Sequence, residues 1–107
     1  MNTQFKKGVL EMLVLQAIES GDKYGYELVS DVGKIVDVNE GTIYPILKRL
    51  TVDMYLETYL QESTEGPSRK YYHLTLKGQR YLLELYDDWK EFSDSVNKYI
   101  MKARKLK

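Results

Sequence analysis

The chain has 107 residues, enough for one domain and too few for two domains of ordinary size. Sixteen basic residues balance sixteen acidic ones, so net charge does not by itself indicate a nucleic-acid partner. Binding to nucleic acid would depend instead on where the basic residues lie. Cysteine is absent, and no apolar run approaches the roughly 20 residues of a membrane span, so we expect a cytoplasmic protein without disulfides or membrane contact.

The first predicted helix covers residues 8–19, GVLEMLVLQAIE, and is apolar on almost every side. Such a helix is covered on more than one face, and in a chain of this length the second cover would come from another subunit. Gly21 and Asp22 end the pattern. A second helix begins at YGYEL, and its spacing directs three apolar residues inward, namely Leu28, Val32 and Ile35.

The third predicted helix, VNEGTIYPILKRL over residues 38–50, carries two different stripes. Asn39 is a suitable N-cap, and Thr42 can act as a second, later cap. One stripe faces the core and consists of Ile43, Leu47 and Leu50. The opposite stripe consists of Gly41, Tyr44, Pro45 and Lys48. A plain solvated face would use Glu, Lys and Gln, so this composition favours a surface that binds something.

The periodicity then changes from helical to alternating. YLETYLQE and KYYHLT alternate with a period of two residues, and the turn STEGPS separates them, so the sequence predicts a β-hairpin. Three short helices followed by a hairpin make a winged helix-turn-helix. The predicted fold class is therefore mainly α with a small β-hairpin, with residues 1–75 as the DNA-binding domain.

In this fold the third helix enters the major groove of DNA and the hairpin, or wing, touches the backbone. Basic residues cluster on the corresponding segments, which favours DNA over a protein partner. The predicted DNA-contacting residues are Lys23, Tyr24, Asn39, Gly41, Thr42, Tyr44, Pro45, Lys48, Arg49, Arg69 and Lys70. The alternative is a winged-helix module that mainly binds protein, and a steep loss of affinity with salt would distinguish DNA binding from it.

Enzyme chemistry has little support in the sequence. His73 is the only histidine, no carboxylate cluster has metal-ligand spacing, and no phosphate-binding glycine loop occurs. Asp87 and Asp88 are adjacent on a helix, so their side chains point about 100° apart and share no site. We expect neither a cofactor nor a metal.

The last predicted helix runs from residue 76 to about residue 105, and at 1.5 Å per residue it would be about 45 Å long. It exceeds what a domain of this size can cover, so residues 76–107 are predicted to form a dimerisation helix within one compact unit. Its apolar residues alternate at intervals of three and four, as in a helix–helix seam. They are Leu82, Leu85, Trp89, Phe92, Val96, Tyr99, Ala103 and Leu106.

Together these motifs resemble the PadR family of bacterial transcriptional regulators. The resemblance rests on GTIYPILKRL in the third helix, YGYEL opening the second, and RKYYHLT before the last. The single C-terminal helix is similar to the compact subgroup that includes multidrug-responsive repressors. The resemblance implies a homodimeric, ligand-responsive repressor on a palindromic operator. One position departs from the family, because Met54 stands where its members usually carry glycine before the wing.

The resemblance also implies an effector pocket at the dimer centre. In the multidrug-responsive members, a tryptophan at the place matching Trp89 stacks on flat drugs. Phe5, Gly8 and Met12 match positions that line the pore. A planar aromatic effector is one interpretation of Trp89, and packed interface core is the alternative.

Overall fold

The computed structural model describes the backbone of residues 3–105 and the side chains of residues 8–104, with four helices and three strands in that range. In chain order they are α1 (Thr3–Glu19), β1 (Lys23–Tyr24), α2 (Gly25–Gly33), α3 (Glu40–Val52), β2 (Leu56–Ser63), β3 (Gly66–Leu74) and α4 (Leu76–Lys105). The strands form an antiparallel sheet in the order β1–β3–β2. This is a winged helix-turn-helix followed by a long C-terminal helix, so the predicted fold class is confirmed.

The wing is tied to the helices by β1, which the sequence does not predict. Two residues are too few for an alternating pattern, and β1 exists because its backbone pairs with the wing. Lys23 lies opposite Tyr72 and Tyr24 lies opposite Tyr71. Helix α1 also begins five residues before the predicted start, over a polar segment without apolar periodicity.

The hydrophobic core lies where α1, α2, α3 and the base of the wing meet. Its most deeply buried side chains come from all of these elements, namely Val14, Leu15, Ile18, Leu28, Val32, Ile43, Leu47, Leu50 and Leu56. On the other side of α1, Val9, Met12 and Leu13 are only half-buried. Helix α1 is therefore well covered on one face and only partly covered on another.

The prediction that Ile35 faces inward is wrong. Helix α2 ends at Gly33, and the Ile35 N–H donates to the Val32 carbonyl oxygen in the turn that follows. This turn leaves the Ile35 side chain 68% exposed, whereas Leu28 and Val32 are buried as predicted.

Helix α3 begins as the sequence predicts. Asn39 has an extended backbone, and its carbonyl oxygen accepts from the N–H groups of Thr42 and Ile43, although its side chain makes no capping bond. Pro45 lies inside the helix and cannot donate to the carbonyl of Gly41. Gly41 is exposed, so water can replace the missing donor.

The turn from α3 into the wing keeps the backbone that a glycine would favour. Met54 has φ of 66°, in the left-handed region. Its N–H donates to the Thr51 carbonyl, and the N–H of Tyr55 donates to the Leu50 carbonyl, as at a left-handed helix terminus. The departure from the family pattern at Met54 therefore leaves the entry to the wing in a glycine-like conformation.

Helix α4 starts against this same turn. The Thr75 hydroxyl accepts from the Gly78 N–H at 2.9 Å and donates to the Met54 carbonyl at 2.8 Å. A Cβ atom on Gly78 would lie 2.1 Å from the Tyr55 carbonyl oxygen, so only glycine permits this crossing. The first turns of α4 pack on α1 and bury Leu82, and the molecule extends 61 Å along its longest axis. Between residues 3 and 105, no helix is both long enough and apolar enough to cross a bilayer.

Candidate nucleic-acid interface

Helix α3 divides into the two faces that the sequence predicts. Ile43, Leu47 and Leu50 are buried, together with Ile46. Gly41, Tyr44, Pro45 and Lys48 are all exposed on the opposite face. Thr42 is half-buried between the two faces, and Asn39 is exposed just before the helix. The exposed face is thus free of the core and carries one aromatic ring and one cation.

Tyr44 is held in place by a glycine of another helix. A Cβ atom on Gly25 would lie 2.6 Å from Cε1 and 2.8 Å from the hydroxyl oxygen of Tyr44, closer than such atoms approach. Gly25 therefore lets the Tyr44 ring lie directly on the first turn of α2 and leaves it 41% exposed. This single contact explains the glycine of YGYEL and orients the tyrosine of GTIYP.

A concave surface of about 360 Å³, which we call the tyrosine cleft, joins the start of α2, helix α3 and the wing. It is lined by Tyr24, Gly25, Tyr26, Tyr44, Arg69, Lys70 and Tyr72. Four of these seven residues are predicted DNA contacts, namely Tyr24, Tyr44, Arg69 and Lys70. The sequence argument misses Gly25, Tyr72 and Tyr26, the last of which is 63% exposed. The sequence did contain a signal for Tyr26, because a second large aromatic residue at the start of a surface helix has no packing reason to be there. The fold brings the wing cations to the same concavity as Tyr44.

Arg49, which the sequence predicts to contact DNA, does not line this cleft. Its guanidinium pairs with the Glu11 carboxylate of α1, and Glu11 is buried. The second Glu11 oxygen accepts from the Tyr81 hydroxyl of α4 at 2.7 Å. Burial and this bond to Glu11 raise the pKa of Tyr81 well above its usual range. One buried carboxylate thus joins α1, α3 and α4, and Arg49 serves that junction.

Lys23 is also engaged within the protein. Its Nζ lies 2.6 Å from Asp31 Oδ2 of α2, and its side chain is 26% exposed. The Tyr24 N–H donates to Glu27 at 3.2 Å, which fixes the backbone where α2 begins. Lys23 therefore offers less charge to a DNA backbone than its sequence position suggests.

The wing presents its two cations on opposite faces of β3. The Arg69 guanidinium carbon lies 4.6 Å from the centre of the Tyr24 ring, and Lys70 Nζ lies 5.9 Å from the centre of the Tyr72 ring. Both side chains belong to the exposed outer half of the wing. Neither cation has a carboxylate within salt-bridge distance among the described residues.

The base of the wing is anchored at Asp22, in the turn before β1. Asp22 Oδ1 lies 2.8 Å from His73 Nδ1, and Oδ2 accepts from the Tyr59 hydroxyl at 2.7 Å. The bonds from His73 and Tyr59 lower the pKa of Asp22. His73, the only histidine of the chain, thus has a structural partner in the turn before β1.

A second cleft, of about 260 Å³, lies between α1 and α4. Gly8, Met12 and Trp89 all line it, so three of the four predicted effector residues come together. The fourth, Phe5, lies outside the described side chains. The remaining lining is Val9, Leu85, Asp88 and Phe92.

The predicted seam on α4 changes from buried to exposed along the helix. Leu82 is buried, and Leu85 and Trp89 are half-buried. Beyond them the apolar side chains face outward, with Phe92 54% and Tyr99 77% exposed. Val96 and Ala103 are exposed as well, and Leu106 lies outside the described residues. Among the side chains that the structure describes, no group of three His, Cys, Asp or Glu residues can hold a metal ion.

Comparison with known proteins gives a consistent picture. The sequence profile of the transcriptional regulator PadR-like family matches residues 14–84. A PadR-like transcriptional regulator from Bacillus cereus is 41% identical, with a TM-score of 0.81 over 92% of this chain and 97% of that chain. A Streptococcus mutans protein is 36% identical, with a TM-score of 0.83 over 89% of each chain. A PadR family transcription regulator from Clostridium difficile is 30% identical, with a TM-score of 0.77 over 85% of this chain and 97% of that chain.

Proposed function

The chain belongs to the PadR-like family of transcriptional regulators, and from that membership we propose a repressor that binds a palindromic operator as a homodimer in the cytoplasm. The observation that carries the proposal is the exposed stripe of α3 beside the tyrosine cleft. A helix fits the roughly 12 Å width of the major groove, and side chains on its outer stripe then reach base edges. The relatives are named as transcriptional regulators rather than enzymes, which supports the same proposal.

Tyr44 and Lys48 would divide the work of recognition between them. Tyr44 offers a ring for thymine methyl groups and a hydroxyl for base edges or phosphate, and Gly25 fixes its orientation. Lys48 lies one turn further along on the same exposed face and would neutralise a phosphate. Arg69 and Lys70, which both line the tyrosine cleft, would touch the DNA backbone, where contacts position the protein without reading sequence.

The test is DNA binding at two salt concentrations, with duplexes selected from a random pool by the wild-type protein. Tyr44→Ala is expected to lose the preference for the selected sequence. Lys48→Ala should weaken binding to all sequences and reduce the salt slope by about one unit. Lys34→Ala, at the far end of α2, is the control and should bind like wild type. Selective binding by Tyr44→Ala at wild-type affinity would refute the assignment of α3, and affinity indifferent to salt would favour a protein-binding module.

The exposed end of α4 supports the homodimer. Val96 and Tyr99 are exposed in one chain on an apolar stripe that soluble monomers rarely display. A second copy related by twofold symmetry would cover it and the half-covered face of α1 together. Replacing Val96 and Tyr99 by Asp should give a monomer in sedimentation velocity with weak DNA binding, while Lys98→Glu on the same turns should remain dimeric. A double variant that stays dimeric would place the interface elsewhere.

The cleft between α1 and α4 supports a ligand-responsive mechanism. Its volume of about 260 Å³ is just below the roughly 300 Å³ at which drug-sized pockets begin. Two such clefts facing each other across a dimer axis would form one adequate site. Trp89 offers an aromatic face and Asp88 a carboxylate, a combination that suits a planar cationic aromatic molecule. Such a ligand would displace α4 from α1 and so change the spacing of the two recognition helices.

Fluorescence of Trp89, the single tryptophan, tests this step directly. Ethidium and related flat cationic dyes should quench it saturably and lower DNA affinity, and Asp88→Asn should weaken that effect. Glu91→Gln, one turn away and outside the cleft lining, is the matched control. No saturable change across the dyes would leave Trp89 as packed interface core and would not affect the assignment as a regulator.

A further inference from the structure

A row of three tyrosines crosses the outward face of the sheet from strand to strand. Tyr24 of β1 lies opposite Tyr71 of β3, and Tyr71 lies opposite Tyr59 of β2. The Tyr59 and Tyr71 rings are stacked, with centres 5.6 Å apart and an angle of 15° between their planes. The Tyr24 and Tyr71 rings are 5.5 Å apart and tilted by 57°. We call these three residues the tyrosine ladder.

Both ends of the ladder terminate in charged groups. At one end the Tyr59 hydroxyl donates to Asp22, which also contacts His73. At the other end the Arg69 guanidinium lies 4.6 Å above the Tyr24 ring. Arg69 precedes Tyr71 by two residues on β3, so both side chains lie on the same face of that strand. A continuous set of contacts therefore runs from the anchored base of the wing to the wing arginine.

From this arrangement we infer that Tyr24 is a positioning residue for Arg69. This inference rests on the DNA-binding function proposed above. It states that Tyr24 affects DNA binding indirectly, by orienting Arg69. A guanidinium whose carbon lies over an aromatic ring still has N–H groups at its outer edge, and these remain available to phosphate oxygens. Tyr24 thus holds the arginine in a conformation that binds phosphate at its edge.

The physical benefit is a smaller loss of conformational freedom on binding. A free arginine side chain loses part of its rotamer entropy when it meets DNA, and a side chain that is already restrained loses less. Arg69 is exposed near the end of the wing and has no carboxylate partner among the described residues, so the Tyr24 ring is the group that restrains it. Lys70 lies on the other face of the strand and contacts Tyr72 instead. The neighbouring lysine therefore provides an internal control.

The test is a double-mutant cycle on DNA affinity. Tyr24→Phe keeps the ring and should stay within about twofold of wild type, whereas Tyr24→Leu should weaken binding about two- to fivefold, as expected for an exposed cation–π contact. In an Arg69→Ala background, Tyr24→Leu should have no further effect. In a Lys70→Ala background, its two- to fivefold effect should persist.

A second measurement tests the positioning without DNA. Side-chain ¹⁵N relaxation of the Arg69 Nε–H group should report an ordered guanidinium in wild type and Tyr24→Phe, and a disordered one in Tyr24→Leu. Wild-type binding and its salt slope test the proposed function separately, since they do not depend on Tyr24.

Three results would overturn the inference. Equal losses in Tyr24→Phe and Tyr24→Leu would mean that the tyrosine hydroxyl contacts DNA itself. An undiminished effect of Tyr24→Leu in the Arg69→Ala background would mean that Tyr24 acts independently of the arginine. An Arg69 Nε–H that remains ordered in Tyr24→Leu would contradict the positioning role even if wild type failed to bind DNA.

Discussion

Replacing Arg49 by alanine separates a structural cation from Lys48, the proposed DNA-binding cation on the same helix. Arg49 pairs with Glu11, whose side chain is 11% exposed, and Tyr81 donates to the other carboxylate oxygen. Removing one partner of a buried ion pair costs about 3–5 kcal/mol, because the remaining charge is left in a poor environment. The Arg49 side chain is 34% exposed, and solvent screening reduces the expected loss to about 2–3 kcal/mol of unfolding free energy.

The assay is urea unfolding at one fixed protein concentration, because the apparent stability of the proposed dimer would depend on concentration. Lys48→Ala is the matched control, since Lys48 is the preceding residue and exposed. It should change the unfolding free energy by no more than about 0.5 kcal/mol while weakening DNA binding. Adding Glu11→Gln to Arg49→Ala should restore part of the lost stability, because a neutral amide is easier to bury than an unpaired carboxylate.

The opposite pattern would refute the reasoning. If Arg49→Ala unfolded like wild type and reduced the salt slope of DNA binding as Lys48→Ala does, Arg49 would leave Glu11 and reach DNA. Its assignment would then return to the one that the sequence alone suggests.

Two further substitutions test single backbone positions. Gly25→Ala should push the Tyr44 ring off α2 and weaken selective DNA binding about tenfold, the worth of one lost base contact. Its unfolding free energy should fall by less than about 1 kcal/mol, since alanine is the better helix former; unchanged affinity in a binding titration would contradict the contact. Met54→Gly should stabilise the fold by about 0.5–1 kcal/mol in urea, because the left-handed strain that it removes, about 1–2 kcal/mol, exceeds the roughly 0.5–1 kcal/mol lost through the greater entropy of the unfolded chain. The Met54 side chain is 64% exposed, so little burial is lost, and a destabilised variant would show that its side chain packs on a partner.

The elements of this protein other than β1 follow from local patterns in its sequence. The two stripes of α3, the hairpin and the 30-residue span of α4 all rest on the spacing of apolar residues, and that spacing acts within a few residues of the chain. The motifs that resemble a known family lie on those elements, so the fold class and the family follow as well. The exposure of Tyr44 and Lys48 could be predicted for the same reason.

Contacts between residues that are distant in the sequence could not be predicted from these local patterns. Arg49 reads as a DNA-binding cation beside Lys48, yet a carboxylate 38 residues away in α1 holds it. The sequence assigns no partner to Gly25, on which the fold places the Tyr44 ring, and Tyr24 becomes a partner of Arg69 only when β1 joins the wing. Periodicity determines which face of an element is buried, but only tertiary packing decides which charge or ring from a distant segment meets it there.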